Sequence, residues 1–185
     1  YSVDISLTAG STHPITVKAQ DASGNLSAAS AITNVTVDNT APTTPAAAPA
    51  LTAGTNTGIS NSDGITNLTS GLAFSAGAGA VENNATVQLY DGGTLVATVT
   101  AAADGSYSFT GVALTAGAHS LTIKAVDAAN NTSAASPALA LTIDSTAPAI
   151  NSSTVIGSNA YIDVVFAEGV YGSATAASAL SSPGA

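Results

Sequence analysis

The chain has 185 residues, no Cys, Met or Trp, and 2 Lys plus Arg against 11 Asp plus Glu, a formal charge of −9. With Lys18 and Lys124 as its only cationic side chains besides His, it lacks the counterion-displacing groups that binding to nucleic acid or to anionic lipid requires. Thiol nucleophiles, disulfides and thiolate metal sites are excluded, and no apolar run approaches the roughly 18 residues of a membrane helix. The acids come singly rather than as a run, which is not the pattern of an acidic tail. The absence of Met, including at position 1, leads us to expect an internal piece of a longer chain.

Residues 1–42 announce the organising feature, a repeat. His13–Pro42 aligns without a gap onto His119–Pro148 at an offset of 106, with about half of the 30 pairs identical. The match extends upstream through Leu7-Thr8-Ala9-Gly10 against Leu114-Thr115-Ala116-Gly117. A period this long exceeds a solenoid unit and fits one autonomous domain per repeat. We therefore expect residues 1–42 to be the C-terminal half of one repeat, 43–148 a complete repeat, and 149–185 the N-terminal part of a further domain of a different class.

Within the complete repeat a first strand is predicted near 47–51 and a second over 72–76. Alternation then marks Val87 and Leu89, Leu95, Ala97 and Val99, Tyr107 and Phe109, Leu121, Ile123 and Ala125, and Leu139, Leu141 and Ile143. Each keeps the period of two of a half-buried strand. Asp91-Gly92-Gly93, Asp104-Gly105 and Gly117 supply turns between them. No stretch has convincing helical spacing. About seven short strands in about 100 residues predict an all-β chain of tandem immunoglobulin-like Greek-key β-sandwich domains, without the Cys pair or core Trp of antibody domains.

The junction Asp144-Ser-Thr-Ala-Pro148, repeated as Asp38-Asn-Thr-Ala-Pro42, resembles those of bacterial Ig-like repeats in large type I-secreted surface adhesins. So do Leu51-Thr-Ala-Gly, Asp63-Gly-Ile-Thr, Ala85-Thr-Val-Gln-Leu-Tyr-Asp91-Gly-Gly, Asp104-Gly-Ser-Tyr-Ser-Phe109 and Ala125-Val-Asp127-Ala-Ala-Asn-Asn-Thr-Ser133. The resemblance covers residues 1–148, while Tyr161–Val170 resembles the start of another Ig-like class. It implies extracellular or cell-surface location, an extender role in cell adhesion and biofilm, and linkers rigidified by Ca²⁺.

Strand order assigns the loops to ends. Those holding Glu82, Asp104 and Asp127 fall near the incoming linker; those holding Asp63, Asp91 and Asp144 fall at the outgoing end. A junction would then bring Asp38 near Asp104 and Asp127. Such Asp and Asn oxygens are the hard ligands Ca²⁺ selects, so Asp38, Asp104, Asp127, Asp144, Asp63 and Glu82 are the candidate ligands. Asp and Asn are also the usual turn formers, and each acid taken alone reads equally well as a cap.

Lys18 and Lys124 fall on the outer face of matched strands, either simply solvated or snorkelling toward a carboxylate. His13 and His119 read as loop-edge histidines, with no second His for zinc. No nucleophile elbow and no cleft between paired carboxylates is apparent, so we expect no enzyme. The expected function is a structural extender whose partners are neighbouring Ig-like domains of the same chain, with homotypic strand or edge contacts as a further option. The alternative is a subunit of a self-assembling surface layer or extracellular filament.

Overall fold

The computed structural model describes residues 2–157 and 161–169. Two compact units, Tyr1–Asp144 and Ser145–Ala185, divide the chain. Among the described residues there is no helix, and every regular element is a strand.

The first unit opens with an antiparallel pair, β1 (Ser11–Ile15) and β2 (Thr33–Val37). Eight elements follow. A three-stranded sheet is formed by β3 (Ala50–Leu51), β5 (Leu72–Ala76) and β8 (Tyr107–Val112). Facing it is a five-stranded sheet in the order β4-β10-β9-β6-β7, built from β4 (Ile65–Thr66), β6 (Thr86–Asp91), β7 (Thr94–Thr100), β9 (Gly117–Val126) and β10 (Leu139–Ile143). Side chains of period two from both inner faces make the core: Leu72 and Phe74, Val87 and Leu89, Leu121 and Ile123, and Leu141 and Ile143 are all essentially inaccessible. Tyr107 and Phe109 meet edge to face, 5.6 Å between centroids. The β6–β7 turn is the two-residue type that the right-handed twist of a hairpin favours, with φ 52° at Gly92 and 92° at Gly93.

Two expectations change. The stretch before Leu72 is not all loop, because Ile65 and Thr66 pair in parallel with Thr142 and Ile143. The chain thus starts in one sheet and crosses to the other. Two residues are too few to show periodicity. Leu95 also fails to face inward with Ala97 and Val99. The β6–β7 ladder slips so that Ala97 opposes Leu89 but Leu95 opposes Tyr90; the extra residue, Val96, is a bulge that turns Leu95 outward, 49% exposed.

The repeat seen in sequence is reproduced in register. Ser11 opposes Val37 and His13 opposes Val35, as Gly117 opposes Ile143 and His119 opposes Leu141. Val17, however, is 68% exposed where its counterpart Ile123 is 1% exposed. Ile123 is covered by the facing sheet of its own repeat, and among the described residues no sheet covers Val17.

In the second unit β11 (Ile150–Ile156) pairs antiparallel with β12 (Tyr161–Phe166). Residues 170–185, and with them much of the further domain expected over 149–185, lie outside the described residues.

Candidate linker-docking site

The loop that follows β9 is shaped by one carboxylate. Asp127 Oδ1 accepts the backbone N–H of Ala129 and of Asn131, both at 2.8 Å, and Oδ2 accepts the Asn131 side-chain amide at 2.8 Å. The backbone closes the same loop, with Asp127 N–H donating to the Asn131 carbonyl at 3.1 Å. Asn130 takes the left-handed conformation, φ 67°, which Asn tolerates better than most residues. The Asn131 amide bond, then burial acting in the opposite sense, then the backbone N–H groups leave the Asp127 carboxyl below its ordinary value. Beyond the loop, the buried hydroxyls of Ser133 and Ser136 accept the N–H groups of Ala125 and Ile123, each at 3.0 Å. They tie the segment leading to β10 against β9 where no ladder exists.

The first copy builds the same loop. Asp21 Oδ1 accepts Ser23 N–H and Asn25 N–H, and Oδ2 accepts the Asn25 amide, each at 2.9 Å. Ser27 and Ser30 repeat the serine bonds. The identity of Ser27-Ala-Ala-Ser30 with Ser133-Ala-Ala-Ser136 is the sequence signal for these serines.

Asn131 has a second partner. Its side-chain amide also donates to the backbone carbonyl of Asp38 at 3.2 Å, so the linker Asp38–Pro42 is held against the complete repeat. Asp38 Oδ1 accepts the N–H of Thr40, turning the linker locally. A cleft of about 880 Å³ is lined by Asp38, Glu82, Asp127, Tyr107 and Ile123 together with residues of 40–47 and 76–81. Burial pushes the Tyr107 hydroxyl up to about 12.

Asp38 and Asp127 line this cleft together. Asp104 is absent from the cleft lining. Its Oδ1 accepts both the hydroxyl and the N–H of Ser106, at 2.7 and 2.9 Å, which hold its carboxyl below the ordinary value. Asp63 and Asp144 sit elsewhere: Asp63 Oδ1 accepts Ile65 N–H at 3.0 Å, and Asp144 N–H donates to the Thr66 carbonyl at 2.9 Å. Among the described residues no three Asp, Glu or His side chains converge as a metal site. Asp38, Glu82 and Asp127 are the carboxylates that line the cleft, and carbonyls and water would have to complete the six to eight oxygens that Ca²⁺ takes.

The outgoing end holds a pair that composition did not suggest. His119 Nδ1 lies 2.8 Å from Asp91 Oδ2, and His119 Nε2 lies 2.8 Å from the Thr115 carbonyl. Lys124 Nζ stands 5.2 Å from the centroid of the Tyr90 ring. The ammonium stands over an aromatic face, which neither of the two readings of the sequence, solvation or a carboxylate partner, named.

A family model for the bacterial Ig-like domain matches residues 43–145. The chain belongs to that family. The Ig-like match coincides with the two-sheet sandwich, and the non-catalytic reading of this domain agrees with it. Exoglucanase B of Cellulomonas fimi is 37% identical over 155 residues, covering 80% of this chain and 13% of that protein. The Ig-like chain thus spans a small part of the length of this curated relative.

Proposed function

We propose that the chain is a spacer: Ig-like domains in tandem that hold other modules of a longer extracellular or cell-surface protein at a set distance. The observation carrying this reading is the repeated architecture joined by a docked linker, with two copies of one strand pair in the same register. Each sandwich adds roughly 35–45 Å, from about ten residues of strand and a linker. The likeness to 13% of a longer exoglucanase fits a segment that serves other modules. An adhesin is one setting for such a spacer, and cell adhesion or biofilm would then be the work of the whole protein.

Calcium is a separable clause of this proposal. An ion at the cleft would draw on Asp38, Glu82 and Asp127, complete its shell with carbonyls and water, and reduce repulsion among the acids. The test is a thermal melt of the full chain in EDTA and in 1 mM Ca²⁺. A site of 10 μM affinity adds about 2.7 kcal/mol, a rise of several degrees that Asp127→Ala removes. Coincident melts remove calcium and leave the spacer, which is tested by small-angle scattering: an extended particle is expected, and a particle with freely reorienting domains sinks it.

A second reading, lateral self-assembly into a layer or filament, is favoured by one observation. The edge strand β7, Thr-Leu-Val-Ala-Thr-Val-Thr, carries no charge to block pairing with another chain. Its bulge works against such pairing. Sedimentation at micromolar concentration decides, with a monomer supporting the spacer.

A further inference from the structure

We infer that Asn131 is a positioning residue that seats the incoming linker by a direct hydrogen bond, and that its loop is a ready-made receptor for the backbone of an Asp-x-Thr-Ala-Pro segment. The inference deepens the spacer reading and rests on it. It assigns the junction to an amide rather than to an ion.

One side-chain amide has two N–H groups. In Asn131 one is committed to Asp127 Oδ2 and the other reaches the Asp38 carbonyl. Asp127 fixes the amide plane, and two backbone N–H bonds fix Asp127 in turn. Nothing in this chain of contacts requires a metal.

Both copies build the loop from the same internal bonds. Asn25 makes the same bond to Asp21 at 2.9 Å, and among the described residues its amide holds no linker carbonyl. The loop's shape is set by bonds within the loop itself, so docking a linker on it costs little ordering. On the other side, the recognised atom is a backbone oxygen. That suits linkers that share Asp, Thr, Ala and Pro but differ at the second position, Asn39 in one and Ser145 in the other.

The test uses the full chain, labelled with ¹⁵N, in EDTA and again in 1 mM Ca²⁺. Heteronuclear NOEs and amide exchange are read at residues 38–46 in wild type, Asn131→Ala, Asn131→Asp and Asn25→Ala. Wild type is expected to show an ordered linker in EDTA. Asn131→Ala and Asn131→Asp should both lose that order, with linker exchange rising about fivefold, the equivalent of one hydrogen bond. The chemical shifts of the sandwich core should stay in place, and Asn25→Ala should leave the linker unchanged. A linker as mobile in wild type with EDTA as in Asn131→Ala overturns the inference, as does a linker that stays ordered in both variants. An ordered, Asn131-dependent linker in a particle that scattering shows to be flexible overturns the spacer reading alone.

Discussion

His119 donates from Nδ1 to Asp91 Oδ2 at 2.8 Å, joining the start of β9 to the turn between β6 and β7. Its other ring nitrogen is 2.8 Å from a carbonyl oxygen, which can only accept. With an acceptor at each nitrogen, the pocket favours the doubly protonated ring over the neutral one. Its side chain is 7% exposed. Burial alone would lower its pKa, but the Asp91 and Thr115 bonds and the Asp91 charge outweigh burial and raise it.

A folded-state pKa above the unfolded value means the pair's stabilisation is fully present below about pH 6.5 and is lost as pH rises through the folded value. We expect Asp91→Asn to destabilise the domain by about 1 kcal/mol at pH 6 and by less at pH 9. Urea unfolding of both proteins at the two pH values checks this, and an equal loss at both rules the charged ring out.

The carboxyls of Asp21, Asp104 and Asp127 are all held below their ordinary value by hydrogen bonds. The sign is opposite to that of His119. Their stabilisation is present above about pH 4 and disappears as pH falls through the lowered values. Side-chain amide resonances of Asn131 and Asn25 should hold steady to pH 4 and then move together on further acidification. Resonances that move above pH 5 contradict the assignment.

Ser136 is 6% exposed and its hydroxyl caps the N–H of Ile123 in the core-facing half of β9. Ser136→Ala leaves that buried donor unpaired and should cost about 1–3 kcal/mol. The matched Ser30 lies on an exposed segment, and Ser30→Ala should cost under about 0.5 kcal/mol. Chemical denaturation of the two variants gives the comparison, and similar losses sink it.

Gly105 has φ 79°, and a Cβ there would lie 2.3 Å from the carbonyl oxygen of Val81, a backbone atom. The loops of residues 79–85 and 102–106 meet at this point, through Gly79 N–H to the Asp104 carbonyl at 2.7 Å. Gly105→Ala should destabilise by at least about 2 kcal/mol through strain and displacement of one loop. Gly92→Ala, with nothing within 4 Å, should cost only about 1 kcal/mol for its positive φ. Thermal melts order the two, and a smaller loss at Gly105 contradicts the packing.

The all-β sandwich and the repeat were legible in the sequence, because each is local or periodic. Alternation along one strand reports which side chains it buries, and Asp-Gly or Gly-Gly reports a turn, without knowledge of any neighbour. The offset of 106 even carried the strand register from one copy to the other. What only the tertiary structure decided was which groups meet. Asn131 and Asp38 are 93 positions apart and His119 and Asp91 are 28 apart, and no pattern within a strand names such partners. The bulge at Val96 and the two-residue crossing at Ile65–Thr66 were hidden for a related reason: each is a property of how one strand lies on another. Composition could count acids as candidate calcium ligands, but their oxygens are directed by the nearest N–H groups. In the folded chain both oxygens of Asp127 and Oδ1 of Asp104 accept hydrogen bonds from their own loops.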